Sequence, residues 1–298
     1  MHCLRLKDFR SAHVLNVHEH FYLIDCGEGT QIQLRKFKIK LSRINHIFIS
    51  HLHGDHVFGL PGLFSTLNML GRKNDLHVHA LQELSRFIDF FKLHFGQDLA
   101  YQIHLVPFKP KKQEVIFEDK HITVQTLPLK HRIPSAGFLF TEKEKPRNIK
   151  PEAIAQYSIP IRDIVKIKEG SDYISENGKI IPNEILTLPP FKKRSFAYCS
   201  DTAYKKDLAG RIKNVSLLYH EATFLNRDKD LAKLTLHSTA AQAANVAMEA
   251  NAEKLLIGHF STRYTTTELL EKEAREIFLN TEAVEDGREY LVPLVRVK

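Results

Sequence analysis

Cysteine is scarce in this chain of 298 residues. Cys3, Cys26 and Cys199 make an odd number with no C-x-x-C spacing, which excludes a disulfide framework and a thiolate zinc site and leaves ordinary buried or half-buried thiols. Long apolar runs are also missing. No stretch approaches the roughly 20 consecutive apolar residues of a membrane-spanning helix, so no membrane partner is expected. Residues 1–10 are charged and lack the continuous apolar region of a secretory signal, and a cytoplasmic protein is the default expectation. No short-period repeat is present. What remains is an ordinary globular composition, 43% hydrophobic and 26% charged, sufficient for one large domain or two small ones with a sizeable core. The net charge of +8 favours a polyanionic partner, because fixed positive potential concentrates phosphate near the surface.

Histidine is plentiful, at 17 residues, and some will cluster by chance. The stretch FISHLHGDHVFGL, residues 48–60, goes beyond chance. Its His51 and His53 lie two residues apart and face the same way on an extended backbone, while Asp55 and His56 follow a glycine. Ile47, Phe48 and Ile49 read as a buried strand, whose carboxyl end is where open α/β folds place their sites. Imidazole nitrogen and carboxylate oxygen are zinc ligands, and H-x-H-x-D-H offers enough for more than one ion. The alternative is a solvated polar turn, which ligand density and placement together disfavour.

Further apolar runs end in the same residue types. ITVQTLPLKH ends at His131, SFAYCSD at Asp201, VSLLYHE at His220 and Glu221, and KLLIGH at His259. Each alone reads as a satisfied structural residue. Together they describe strand ends converging on one site. Between them, Pro61 suits the first turn of a helix over GLFSTLNMLG, whose N-terminal amides would lie at the cluster and help to bind an anion. HSTAAQAANVAMEAN reads as a second helix, with a capping box from Thr239 to Gln242 and Asn251 as its stop, leaving His237 just before the cap. Alternating strands and helices in two halves, one over residues 15–131 and one over residues 195–298, argue for an α/β sandwich. Residues 141–194 are rich in Lys, Arg, Glu and Pro, with Asn177-Gly178 as a hairpin-turn signal, and read as an excursion from the core.

With these residues in place, the sequence resembles the metallo-β-lactamase superfamily, and within it the ribonuclease Z branch, endonucleases that trim the 3′ trailer of precursor tRNA. The superfamily likeness rests on H-x-H-x-D-H with His131, Asp201 and His259, motifs that equally suit lactamases, lactonases and glyoxalase-type thioesterases. HEAT at 220–223 and HST at 237–239 look like the two motifs of the tRNA-processing branch. NVHEHFYLIDCGEGTQIQLRK, SHLHGDHVFGLPGL and LIGHFSTRY also read like its segments, and the likeness runs from about residue 11 to the C terminus.

The resemblance implies an α/β fold, the metallo-β-lactamase αββα sandwich, with residues 142–194 as an inserted arm. It implies two zinc ions (Zn2+) per chain. The first would be held by His51, His53 and His131, the second by Asp55, His56 and His259, with Asp201 bridging. Histidine at position 53 favours zinc over the di-iron branch. Asp55 would orient the attacking water and accept its proton, and His237, steadied by Glu221, would protonate the departing 3′ oxygen. A plain helix-cap role for His237 stands beside that reading. The implied partner is precursor tRNA, gripped in a homodimer by one subunit's arm for the other's site. Two features depart from the family pattern. Residues 1–10 lack the opening strand and Gly/Ser-rich loop, implying a missing edge strand, and the arm carries SIPIRDIVKIKEG in place of Gly-Pro and a glycine-lysine cluster. The alternative reading is a small-molecule phosphodiesterase or lactonase-type hydrolase with the same metal pair, which needs neither the basic excursion nor HEAT and HST. A β-CASP nuclease requires more chain between Asp201 and His259 than is present. A non-catalytic nucleic-acid-binding relative has no need of all seven ligand positions.

Overall fold

The computed structural model describes residues 1–5 and 11–297. Strands form where β-branched and aromatic residues concentrate. His2–Arg5 (β1), His13–Val17 (β2) and His20–Ile24 (β3) are antiparallel neighbours, and Ile44–Phe48 (β4), Leu76–Ala80 (β5) and Ile103–Pro107 (β6) extend the sheet in parallel. Parallel pairing requires crossovers. Helices Thr30–Lys36, Leu60–Met69 and Leu84–Phe95 lie in the three intervening segments. The second sheet opens with Val115–Glu118 (β7), Ile122–Pro128 (β8) and Ala136–Glu142 (β9). An insertion follows, carrying the short strands Asn148–Ile149 (β10), Tyr173–Ile174 (β11), Ile180–Ile181 (β12) and Thr187–Leu188 (β13). The sheet then resumes with Ser195–Cys199 (β14), Leu217–Glu221 (β15), Leu255–Gly258 (β16) and Thr281–Ala283 (β17), before Glu289–Leu291 (β18) returns to pair with β1. The strand orders are β18-β1-β2-β3-β4-β5-β6 and β17-β16-β15-β14-β9-β8-β7.

Side-chain alternation along each strand builds three apolar layers. Ile47 of β4 faces Leu63, Phe64 and Phe91 of the outer helices, while its neighbour Phe48 faces inward to Tyr22, Phe138 and Tyr198 between the sheets. On the far side, Leu218 and Ile257 pack with Ala243, Ala244 and Ala247 of the helix Ala240–Glu249, where small side chains admit a close approach. This is an αββα sandwich. Its two central sheets are covered on both faces, which is why every residue of β15 and β16 is buried. The predicted capping box is formed: Thr239 Oγ1 accepts from Gln242 N at 3.2 Å, and Gln242 Oε1 accepts from Thr239 N at 3.0 Å. All three cysteines are buried and free. Among the described residues no helix is long and apolar enough to cross a membrane.

The chain divides into two compact units, Met1–Thr141 with Ser195–Val292, and Glu142–Arg194 with Pro293–Lys298. The smaller unit has its own apolar centre of Ala153, Ile159, Ile167, Tyr173, Ile181 and Leu186. Its entry and exit are clamped by a buried pair, Arg194 donating from Nε and Nη2 to the two carboxylate oxygens of Glu142 at 2.8 and 2.6 Å. Gly178, at a φ of 77°, closes the β11–β12 hairpin in a conformation that few other residues adopt without strain.

Two expectations are corrected. The sheet boundary falls between β6 and β7, so the strands within residues 115–128 belong to the second sheet and not to the first half; β14 returns antiparallel to β9 across the insertion, a pairing that local periodicity does not encode. The opening strand is present as β1, held between β2 and β18, although its few residues carry no alternation. Residues 6–10, where the rest of that departure lies, fall outside the described residues.

Gly59 joins this framework to the histidine loop. Its amide donates to Cys26 O at 2.9 Å, and a methyl group on its Cα would overlap the carbonyl oxygen of Gly27. Gly59→Ala should therefore lower the unfolding free energy by about 2 kcal/mol, the usual cost of forced overpacking against backbone. Urea unfolding at wild-type midpoint and slope would show that the loop yields freely.

Candidate metal centre

The fold explains how residues far apart in sequence meet. Strands β4, β8, β14 and β16 all end at one edge of the sandwich, and the residues just past those ends form the site. His51 follows β4 by three residues and is fully buried; His53, on extended backbone, precedes the short helix Gly54–Val57, which carries Asp55 and His56. His51 Nε2 and His53 Nδ1 lie 3.0 Å apart, and His131 Nε2 lies 3.4 Å from the same Nδ1. His259 holds a left-handed backbone with φ of 60°, a strained conformation for a non-glycine residue that turns its ring into the cluster.

Asp201 divides its two oxygens between two groups of imidazoles. Oδ2 lies 3.7 Å from His51 Nε2 and 3.8 Å from His131 Nε2, while Oδ1 lies 3.3 Å from His259 Nε2 and 3.8 Å from His56 Nε2. Asp55 Oδ2 is 3.5 Å from His56 Nε2. Two sets of possible ligand atoms therefore form, one from His51, His53, His131 and Asp201 and one from Asp55, His56 and His259, each with its atoms within 4.8 Å of one another. A third grouping, Asp201 with His237 and His259, meets the same distance limit.

The outer nitrogens are already committed. Nδ1 of His51 meets Ser50 Oγ at 3.0 Å, that of His56 meets Asp25 Oδ2 at 2.8 Å, that of His131 donates to Leu236 O at 3.1 Å, and that of His259 meets Thr223 Oγ1 at 2.9 Å. Such contacts fix ring orientation and leave Nε2 to point inward. Nε2 of His56 is buried and has no hydrogen-bond partner among the described residues. An orphaned imidazole nitrogen beside carboxylate oxygens fits a divalent metal ion, and the all-nitrogen-and-oxygen donor set fits zinc.

Electrostatics agrees. Burial, reinforced by the neighbouring imidazole of His56, pushes His51 far below its ordinary value, and burial likewise lowers His131, so both stay neutral as ligands must. Burial opposes ionisation of Asp201 as well, yet His259, His56 and His51 outweigh it and hold the carboxyl well below the usual range. For His56 burial is outweighed by Asp25, with Asp201 and Asp55 adding to it, and its pKa rises to about 9. A metal ion binding at Nε2 must displace that proton.

His237 stands differently. Its Nδ1 lies 2.8 Å from Glu221 Oε1, and Glu221 is fully buried, accepting also from Thr202 N at 2.9 Å and Thr223 Oγ1 at 2.8 Å. The carboxylate outweighs burial and raises the pKa of His237 above its ordinary value. Thr239 and Gln242 cap the following helix, so the His237 ring has no capping part. A cavity of about 360 Å³ joins these groups, lined by His53, Asp55, His131, Asp201, His237 and His259 among others. The helix Leu60–Met69 does not line it: Gly59 N is bound to Cys26 O, and Pro61 has no N–H, so the expected anion site at that helix start does not open onto the cluster.

Sequence reasoning missed Asp25, Ser50, Thr223 and Tyr198. Asp25 had a signal, since it closes β3 as the other polar residues close their strands. Asp25→Asn should weaken metal affinity by about 10- to 100-fold, the usual effect of removing a partner behind a ligand. Chelator competition followed by circular dichroism tests this, and unaltered affinity in a folded variant contradicts it.

Similarity to known proteins bears on the family and the fold. The family described as "Anti-Pycsar protein Apyc1" matches residues 2–144. A ribonuclease Z from Phocaeicola vulgatus is 47% identical over 275 residues, covering 92% of this chain and 89% of that protein. The crystal structure of human tRNase Z, short form, superposes with a TM-score of 0.68 at 26% identity, covering 98% of this chain and 100% of that one. The metallo-β-lactamase fold protein YhfI from Bacillus subtilis, with a TM-score of 0.67 over 97% of this chain and 99% of that one, is only 16% identical and speaks to the fold alone.

Proposed function

The chain belongs to the ribonuclease Z family, and from that premise we infer how its metallo-β-lactamase fold removes the 3′ trailer from precursor tRNA. It is a tRNA-processing endoribonuclease, a hydrolase of phosphodiester bonds that binds metal ions. The reading of its site rests above all on Asp201, whose two oxygens address two separate imidazole groups. In this reading His51, His53 and His131 hold one zinc ion and Asp55, His56 and His259 the other, with Asp201 shared, in the cytoplasm and in a homodimer.

Two such ions, when bound, activate a water and neutralise charge on the scissile phosphate. The chain does the rest. Asp55, about 44% exposed at its side chain, orients the attacking water and accepts its proton. His237, oriented by Glu221 and kept in its protonated form by that carboxylate, delivers a proton to the departing ribose 3′ oxygen, a poor leaving group until protonated. The tRNA retains a 3′-hydroxyl and the trailer a 5′-phosphate. No 2′-hydroxyl takes part, so a 2′-deoxy nucleotide at the cut should still be cleaved.

End-group analysis of both products tests the reaction; a 2′,3′-cyclic phosphate contradicts it. His237→Ala should slow single-turnover cleavage by about 10²–10⁴. A rate near that of the wild type removes His237 from the chemistry.

The inserted segment supplies tRNA grip in this proposal. Lys143, Lys145, Arg147, Lys150, Lys166 and Lys168 give it phosphate-binding charge. Deleting residues 146–189 should cripple cleavage of precursor tRNA far more than hydrolysis of a small phosphodiester. Equal losses on both substrates assign the segment to the fold instead.

A further inference from the structure

Beside the metal centre lies a second cavity, of about 420 Å³, that shares only His237 with it and is lined by none of the seven proposed ligands. Its wall carries Lys130, Lys229 and Lys233, with Asp230 as its one acid among the described residues. Lys229 and Lys233 stand one turn apart on the helix Lys229–Thr235 and so share a face. Lys130 adjoins the proposed ligand His131. Tyr204, three residues beyond Asp201, presents a half-buried ring to the same space and packs in part on the apolar layer behind it.

The direction of the chemistry gives this cavity a purpose. In an in-line displacement the attacking and departing oxygens lie on opposite sides of the phosphorus. His237 donates to the departing 3′ oxygen, so the ribose bearing that oxygen, and the tRNA upstream of it, must run out on the His237 side. The phosphate remains with the trailer on the metal side.

Resting on the trailer-removing reading, we propose that this cavity seats the last nucleotide the tRNA retains, the unpaired one that follows the acceptor stem. Its base stacks on Tyr204. Lys130, Lys229 and Lys233 hold the phosphates leading back into the stem. Every base has an aromatic face, so a stacking seat accepts all four and suits an enzyme that must process many tRNAs. Phosphate contacts position the strand without reading its sequence.

The test uses the metal-loaded full chain and two labelled RNAs: tRNA ending at that nucleotide with a 3′-hydroxyl, and a 5′-phosphorylated trailer oligonucleotide. Binding is measured by fluorescence anisotropy over a salt series, with thermal melting as the check on folding. K130A/K229A/K233A should bind the product tRNA at least tenfold more weakly, and its salt slope should fall by about three, about one per lysine. Trailer binding should not change. Tyr204→Ala should raise KM for precursor tRNA about tenfold and scatter the cut, and Tyr204→Phe should restore both, since stacking needs the ring and not the hydroxyl. An unchanged product slope, an equal loss on the trailer, or Tyr204→Phe as damaged as Tyr204→Ala would each overturn the proposal. Wild-type protein that fails to cut precursor tRNA overturns the underlying reading instead.

Discussion

One buried carboxylate ties the two sheets to the metal-binding loop. Asp25 follows β3 of the first sheet with no exposed surface, and it accepts from Tyr198 of the second sheet at 2.7 Å. It also accepts from Ser50 N at 2.7 Å and Ser50 Oγ at 2.9 Å, and holds His56 Nδ1 at 2.8 Å. A buried charge is tolerable only when its lone pairs are met, and here four partners meet them. The consequences spread outward. Ser50 precedes His51, so its two bonds set where the histidine loop begins, and the grip on His56 aims the orphaned Nε2 at the cluster.

The loop around Leu236 shows the same economy. Leu236, at a φ of 60°, uses its carbonyl to hold His131, while the next residue presents the His237 ring. The two histidines then differ by what sits behind them. A neutral carbonyl behind His131 leaves burial to dominate and keeps the ring uncharged; a carboxylate behind His237 sustains the imidazolium. One short turn thus gives two neighbouring histidines opposite pKa shifts through the charge of a hydrogen-bond acceptor, as the proposed roles of metal ligand and proton donor require.

Much of this was legible in the sequence because parallel strands send their carboxyl ends to one edge. A polar residue closing an apolar run is therefore a long-range signal, and His51, His131, Asp201 and His259, which it singled out, lie together in the structure. The same rule pointed to Asp25, yet a lone aspartate after a strand has the look of any turn residue, and only its partners reveal its part. Thr223 and Ser50 were hidden for a similar reason, since hydroxyls carry no metal-ligand signature of their own. Sheet membership of β7, β8 and β9 was not legible either. It depends on β14 pairing with β9 across the insertion, and on Phe138 and Phe140 facing Phe48 from the opposite sheet. The expected anion site at the start of Leu60–Met69 failed because Gly59 N is already bound to Cys26 O and Pro61 has no N–H to offer.

The central claim is that this chain builds two adjoining ion sites that share Asp201. Anomalous diffraction at the zinc absorption edge, from crystals of protein produced in zinc-replete cells, tests it most directly. The account predicts two peaks about 3.5–4 Å apart on either side of the Asp201 carboxylate, one enclosed by His51, His53 and His131 and the other by Asp55, His56 and His259. A single peak, or one ligated by His237, would contradict it.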